Sequence, residues 1–254
     1  RLGFEKPKGM YPVGPVSGAT LFQVHAEKIL AVSRRYGKPV PFLVMTSPAT
    51  DAETRAYFRD NLFFGLAESD VIFFEQGTMP AVCSRTGRLL LEAPGKLALS
   101  PNGHGGTITA LAERGVLREL QRRGVKHVYY FQVDNPLLKI CDAGFVGQHV
   151  AARSEASSKV VFKERPEEKV GVFALIDGKC GMIEYSDLPK ELAEARDADG
   201  QLTYRAGNPA IHLFTVEFLD RITSTGGLAY HVARKAVPHF DPEAGKPIDP
   251  AGEL

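Results

Sequence analysis

The sequence has few cysteines, and they are not arranged for a metal site or a disulfide framework. Cys83, Cys141 and Cys180 are three widely separated thiols among 254 residues, with no C-x-x-C pair and no histidine-rich neighbour. Structural zinc sites and small secreted proteins need closely spaced cysteines in larger numbers. The composition therefore excludes both classes and predicts buried, reduced thiols in a cytoplasmic protein.

Long hydrophobic runs and an excess of one charge are also missing. No apolar stretch approaches the roughly 20 residues of a membrane-spanning helix, the first residues contain no apolar signal core, and Asn-x-Ser/Thr does not occur. Scattered Lys and Arg, 31 in all, balance 30 Asp and Glu to a net charge of +1. We therefore expect neither a membrane nor a nucleic acid as a partner, and any bound anion must be held by local groups.

What is present is a globular composition in which helical and extended patterns alternate. Hydrophobic residues make up 44% of the chain and charged residues 24%. Apolar spacing predicts helices over residues 21–36, 51–62 and 107–123, the last ended by Gly124. Extended, apolar patterns predict strands over residues 41–45, 71–74, 125–133, 159–163 and 170–176.

This alternation predicts an α/β fold with a mostly parallel central sheet and helices on both faces. Residues 125–133 are apolar nearly throughout, as in a central parallel strand. Gly178 precedes an extended segment at residues 182–185, which predicts an added antiparallel hairpin. We expect one domain over residues 1–237, while the Pro- and Gly-rich residues 238–254 predict a loop or tail.

Three short segments have the composition of ligand sites, and each has a plain structural alternative. The opening combines Arg1, Lys8 and several glycines, which suits a phosphate, although an N-terminal turn with solvated charges has the same composition. The glycine-rich loop 100–106 leads into a predicted helix start that would attract an anion, or it is a tight turn with an Asn or His cap. Asp134 and Asn135 follow the most hydrophobic strand, where a carboxylate can hold Mg²⁺ beside phosphates, or where turn residues are common.

Read together, these segments resemble the motifs of one enzyme family. Arg1-Leu2-Gly3 resembles the end of the G-G-x-G-T-R-L-G loop of the eukaryotic-type UTP-dependent sugar-1-phosphate uridylyltransferases, and Pro7-Lys8-Gly9-Met10-Tyr11 resembles the motif that follows it. Further motifs follow in the family's order at residues 73–81, 101–106, 133–135, 170–172, 183–186 and 206–215. Within the family, the motifs most resemble those of the UDP-N-acetylglucosamine pyrophosphorylases.

The resemblance implies a Rossmann-like nucleotidyltransferase fold that makes UDP-sugar and pyrophosphate from UTP and a sugar 1-phosphate, with Mg²⁺. Arg1 and Lys8 would hold the UTP phosphates, and Asp134 would bind Mg²⁺. The other nucleotide-site residues implied are Gly3, Gln76, Pro101, Gly103 and His104, with Gln76, Pro101 and Gly103 reading uracil. The sugar-side residues implied are Asn135, Gly171, Glu184, Asn208 and His212.

Two departures from the family pattern affect what we expect. The N-acetylglucosamine enzymes usually have Pro-Asp-Gly-Asn-Gly-Gly, whereas residues 101–106 contain Gly-His-Gly, more like the UDP-glucose and broad UDP-sugar pyrophosphorylases. His104 would lie beside the sugar and bear on specificity. The sequence also begins inside the phosphate loop and lacks the family's C-terminal region, so we expect part of a longer protein.

Two other classes compete with a pyrophosphorylase. A non-catalytic nucleotide-sugar-binding protein would not need the whole set of Arg1, Lys8, Gln76 and Asp134. A glycosyltransferase of similar fold normally has Asp-x-Asp at a strand end, whereas Asp134 is followed by Asn135 and Pro136. The sequence therefore favours the uridylyltransferase over both.

Overall fold

Helices and strands alternate along the chain in a mixed α/β fold. The computed structural model describes residues 4–225 and 236–248. The helices are α1 (Leu21–Tyr36), α2 (Asp51–Asp60), α3 (Gly106–Glu113), α4 (Val116–Arg122), α5 (Ala143–Ala151), α6 (Lys190–Glu194) and α7 (Val216–Ser224). The strands are β1 (Phe42–Thr46), β2 (Val71–Glu75), β3 (Thr78–Pro80), β4 (Leu91–Ala93), β5 (Lys96–Leu97), β6 (Leu99–Pro101), β7 (His127–Tyr130), β8 (Ala156–Ser158), β9 (Val161–Phe162), β10 (Val172–Ile176), β11 (Lys179–Ile183), β12 (Ala206–Gly207), β13 (His212–Thr215), β14 (His239–Asp241) and β15 (Lys246–Ile248). None of the helices described is both long and apolar enough to cross a bilayer.

Local capping signals account for the helix ends. The helix α1 has the predicted bounds, because the Thr20 hydroxyl accepts a hydrogen bond from the Gln23 amide at its start and Gly37 takes a left-handed conformation, φ 63°, at its end. The single helix predicted over residues 107–123 is wrong. Gly115, with φ 74°, breaks it into α3 and α4, because a left-handed residue cannot continue the helical hydrogen-bond ladder. Gly124, with φ 70°, follows α4 as predicted.

The strands β1 and β2 form a parallel pair with helices on both faces. Alternate side chains of β1 point to opposite faces. Phe42 and Val44 join a core with α1 and α2 that surrounds Phe58. Leu43 and Met45 pack against the second core, built from α3, α4 and α7. Burial on both faces explains the continuous hydrophobic run in β1.

The remaining strand pairs in the described part of the chain are antiparallel. They form the sheets β7-β13-β8, β11-β10-β12-β9, β15-β14-β4-β5 and β3-β6. The prediction of a mostly parallel sheet is therefore wrong for these residues, and β7 pairs antiparallel with β13. The apolar run of β7 signals burial, but it carries no information on strand direction. The predicted hairpin is confirmed as β10 and β11, joined through Gly178 with φ 76°.

The segment expected as a loop or tail contains a hairpin. The strands β14 and β15 pair with each other, and Phe240 of β14 pairs with Leu91 of β4. The Asp241 Oδ1 atom accepts hydrogen bonds from the amides of Glu243 and Ala244, at 2.8 and 3.2 Å, which stabilises the turn between them. Asp241 is a typical turn residue, so the turn itself was predictable from the sequence. The Pro and Gly residues around it masked the two short strands, so they were not predicted. Residues 249–254 lie outside those the structure describes.

Candidate active site

A large cleft collects most of the predicted site residues. It is lined by the strands β1 and β7, each of which has one edge without a strand partner among the described residues. The predicted residues that line it are Lys8, Gly103, His104, Asp134, Glu184, Asn208 and His212. Those that lie beside lining residues are Gln76, Pro101, Asn135 and Gly171. Arg1 and Gly3 lie outside the described residues, so their roles remain predictions.

A lysine and a carboxylate meet in the turn that follows the carboxyl end of β7. The Nζ atom of Lys8 lies 3.3 Å from Oδ2 of Asp134, and their side chains are 61% and 44% exposed. An exposed pair of this kind contributes little to stability, so both groups are free to exchange partners with a ligand. Phosphate oxygens are the natural partner for the ammonium group.

Asp134 is also the residue predicted to bind Mg²⁺. In residues 4–225 and 236–248 there is no cluster of three His, Cys, Asp or Glu side chains that would hold a metal by itself. Proteins commonly bind Mg²⁺ through one or two carboxylates, with substrate phosphates and water completing the octahedron. The half-exposed Asp134 carboxylate fits that kind of site.

The helix α1 fixes the loop that carries Asp134. His25 is fully buried, and its Nε2 atom lies 2.8 Å from the carbonyl oxygen of Val133. Burial lowers the pKa of His25, so the neutral ring donates its Nε2 proton to that carbonyl. Its buried Nδ1 atom has no hydrogen-bond partner among the described residues. The Lys28 ammonium donates to the carbonyl oxygens of Pro136 and, at 3.0 Å, of Leu138. Two residues one helical turn apart therefore hold both sides of Asp134.

Lys28→Met removes two hydrogen bonds from the Asp134 loop and is expected to displace its carboxylate. Any turnover of the full-length protein that depends on Asp134 should then fall about tenfold. The free energy of unfolding should fall by only about 1–2 kcal/mol. Steady-state kinetics and denaturant unfolding measure the two effects. Lys38→Met, an exposed change just beyond α1, is the matched control, and equal turnover in the two variants would contradict this role for Lys28.

The glycine-rich loop packs closely against the segment that follows β2. Pro101 pairs with Thr78, and the amide of Asn102 donates to the carbonyl of Gly77 at 3.1 Å. A Cβ atom on Gly77 would lie 2.7 Å from the Asn102 Nδ2 atom, and one on Gly106 would collide with Oδ1 of the same side chain. A side chain at either position would therefore force the Asn102 side chain out of its place. The packing brings Gln76 to the loop that contains Pro101 and Gly103.

The start of α3 does not offer the free amides expected of an anion site. The amides of Gly106, Thr107 and Ile108 donate to the carbonyls of the residues three positions earlier, at 3.1–3.3 Å. The expected Asn or His cap is also absent, because the N-cap residue is Gly105. The loop is a tight turn that presents Gly103 and His104 to the cleft.

Three of the five predicted sugar-side residues, Gly171, Glu184 and Asn208, are brought together around one backbone position. The Asn208 amide donates to the Gly171 carbonyl at 2.8 Å. A Cβ atom on Gly171 would lie 3.4 Å from Oε2 of Glu184 and 3.5 Å from the sulfur of Met182. Both side chains therefore lie close to the backbone of Gly171. The Asn208 side chain donates to the same sulfur at 2.8 Å. A carboxylate and an amide thus face the cleft on one side, which suits sugar hydroxyl groups.

Sequence reasoning missed four residues that shape this cleft. They are His25, Lys28, Asn102 and Tyr130. His25 and Lys28 could have been noticed in the sequence, because they lie one helical turn apart in α1 and His25 is on its apolar face. Polar groups in such positions usually have a hydrogen-bond partner. The contacts of Asn102 and Tyr130 depend on segments far apart in the chain.

The chain is similar in sequence to a family of known proteins. Residues 1–245 match the family model described as UTP–glucose-1-phosphate uridylyltransferase. The UDP-N-acetylhexosamine pyrophosphorylase-like protein 1 of Xenopus tropicalis is 42% identical over 99% of this chain and 51% of its own length. The UDP-N-acetylglucosamine pyrophosphorylase of Saccharomyces cerevisiae is 39% identical over 99% of this chain and 54% of its own.

A solved structure with the same fold is also similar in sequence. The crystal structure of the uridine diphosphate N-acetylglucosamine pyrophosphorylase from Trypanosoma brucei, in complex with an inhibitor, superposes with a TM-score of 0.85 at 31% identity, over 98% of this chain and 50% of that one. The chain thus spans about half the length of the relatives it matches. The family model matches residues 1–245, which contain the motifs and the cleft described above. The chain therefore belongs to the UTP–glucose-1-phosphate uridylyltransferase family.

Proposed function

We propose that the full-length protein transfers uridylyl groups, forming a UDP-sugar and pyrophosphate from UTP and a sugar 1-phosphate. The observation that carries the proposal is the Lys8–Asp134 pair at a strand end, in one cleft with Glu184 and Asn208. We further propose that residues 1–237 belong to one Rossmann-like nucleotidyltransferase domain of a cytoplasmic enzyme, to which the hairpin β14–β15 is joined through the pairing of Phe240 with Leu91. The parallel pair β1–β2, with helices on both faces, supports that fold.

The reaction needs positioning and charge neutralisation more than acid–base chemistry. An oxygen of the sugar 1-phosphate, already anionic, attacks the α-phosphorus of UTP, and the bond to the departing pyrophosphate breaks. Lys8 and Arg1 would hold the triphosphate in line and balance its negative charge. No strong general base is required.

The Asp134 carboxylate would hold Mg²⁺ together with phosphate oxygens. When bound, the ion supplies a second positive charge against the pyrophosphate. His25 and Lys28 keep the carboxylate at the mouth of the cleft by fixing the carbonyls on both sides of it. Asn135 follows directly and extends the polar edge toward the sugar.

Different residues would recognise the base and the sugar. Gln76 offers both a donor and an acceptor to the uracil edge, and a wrong base would leave these atoms unpaired. The backbone of Pro101 and Gly103 would complete the uracil contacts. Glu184 would accept sugar hydroxyl groups, and Gly171, Asn208 and His212 would line the rest of the sugar 1-phosphate site.

N-acetylglucosamine 1-phosphate is the sugar that we propose first. Relatives named as UDP-N-acetylglucosamine pyrophosphorylases are similar over nearly the whole chain. A UDP-glucose or broad-specificity enzyme is the second candidate, and His104 at the cleft is the observation that favours it.

The full-length protein with UTP and Mg²⁺ is expected to release pyrophosphate fastest with N-acetylglucosamine 1-phosphate, more slowly with glucose or galactose 1-phosphate. Replacing UTP with CTP is the matched control, because Gln76 should pair poorly with cytosine. Preference for glucose 1-phosphate would favour the second candidate. Absence of release with every sugar, together with tight binding of UDP-N-acetylglucosamine, would favour a non-catalytic binding protein instead.

A further inference from the structure

Three neighbouring strands place Tyr130, Ser158 and His212 side by side. His212 on β13 is the register partner of Tyr130 on β7 and of Ser158 on β8. Its ring stacks on the Tyr130 ring, with centroids 5.6 Å apart and planes at 27°. Its Nδ1 atom lies 2.7 Å from the Ser158 hydroxyl oxygen. Register partners share one face of a sheet, so strand pairing itself sets this row.

Tyr130 also contacts the glycine-rich loop 100–106. Its hydroxyl oxygen lies 3.3 Å from Nδ1 of His104, a residue 26 positions earlier in the chain. Burial raises the pKa of Tyr130, so the phenol keeps its proton at neutral pH. The hydroxyl donates to Nδ1 when His104 carries its own proton on Nε2. Tyr130 therefore joins His104 on the loop to His212 on the sheet.

This hydrogen bond decides what His104 offers to a ligand. A neutral imidazole has a single N–H group, and when Nδ1 accepts a hydrogen bond the proton is on Nε2. His104 then presents a donor to the cleft. Burial lowers the pKa of His212, which favours its neutral ring. Its Nδ1 atom is occupied by Ser158, so Nε2 is the atom left for a ligand.

We propose that Tyr130 is a positioning residue that fixes the tautomer and orientation of His104, so that the Nε2–H group of His104 selects among sugar 1-phosphates by donating to an oxygen on the sugar ring. The inference rests on the proposed uridylyltransferase function. Without the phenol, the His104 ring is free to rotate and to exchange tautomers. The donor would then be present for only part of the time, and sugars with and without a suitably placed oxygen would be discriminated less well.

Tyr130→Phe in the full-length protein tests the proposal. The ratio of kcat/KM for N-acetylglucosamine 1-phosphate to that for glucose 1-phosphate is expected to change about fivefold toward equality, the effect of losing one neutral hydrogen bond. The ¹⁵N chemical shifts of the His104 ring are expected to move from the Nε2–H tautomer toward a mixture. Tyr129→Phe is the matched control, because it removes a hydroxyl that donates to the Lys139 carbonyl at 3.0 Å, and both readouts should stay unchanged.

The combination with His104→Ala separates positioning from a merely structural effect. In that background, Tyr130→Phe should leave the sugar ratio unchanged, because the residue through which it acts is gone. An unchanged ratio with unchanged ring shifts in the single variant overturns the proposal, as does an equal change in Tyr129→Phe. If the wild type forms no UDP-sugar, the proposed function fails, and the selectivity role fails with it. The ring shifts then still report on the Tyr130–His104 link.

Discussion

Replacing Asp134 with asparagine is expected to lower the rate of UDP-sugar formation by the full-length protein about 10²–10³-fold. The change keeps the size of the side chain but removes the negative charge that we propose for the Mg²⁺ ligand. Charge on the departing pyrophosphate would then be balanced less completely. Turnover measured across a series of Mg²⁺ concentrations should show both the lower rate and a weaker dependence on the ion.

The stability of the same variant should hardly change, because the ion pair between Lys8 and Asp134 is largely exposed. Asp142→Asn is the matched control. Asp142 also pairs with a lysine, Lys159, at 2.7 Å, and asparagine can replace it as the cap of α5. Turnover of Asp134→Asn within about threefold of the control, with an unaltered Mg²⁺ dependence, would contradict the metal role.

Phe58→Ala is expected to lower the free energy of unfolding by about 3–5 kcal/mol. The Phe58 side chain is fully buried at the centre of the core between α2 and β1–β2. Its ring lies 5.0 Å from the ring of Phe22, 5.3 Å from that of Phe64 and 5.1 Å from that of Phe73, in edge-on arrangements. Truncation to alanine leaves a cavity, and the surrounding helices and strands would all have to move to fill it.

Denaturant unfolding of the full-length protein measures this loss. Phe162→Ala is the control, because the Phe162 side chain is 67% exposed and packs mainly under Arg205. It should cost at most about 1 kcal/mol. A similar cost for the two variants would mean that the cluster around Phe58 does not dominate the stability of this core.

The fold was predictable from sequence where its cause is local. The helix α1 has its predicted bounds because Thr20 and Gly37 carry the capping signals. The hairpin β10–β11 follows from the turn at Gly178. The break at Gly115 was missed, because apolar spacing continues across it and one glycine can also be tolerated inside a helix.

The site was predictable as a set of motifs, but not as a set of contacts. Lys8 and Asp134 are 126 residues apart in sequence, and only the folded chain shows that they pair. Lys28 and Leu138 are 110 apart. Tyr130 was assigned to a strand for its apolar character, and its role depends on which strand lies beside it. Strand partners are long-range properties that hydrophobic pattern does not encode.

The bare edges of β1 and β7 have a consequence for handling this region on its own. Along one side of each strand, amide and carbonyl groups have no sheet partner in the described part of the chain. Such edges are templates for any extended backbone, including that of another molecule. A polypeptide limited to these residues should therefore self-associate as its concentration rises. Its melting temperature would then depend on its concentration. A backbone segment paired with both edges would prevent the self-association and this concentration dependence.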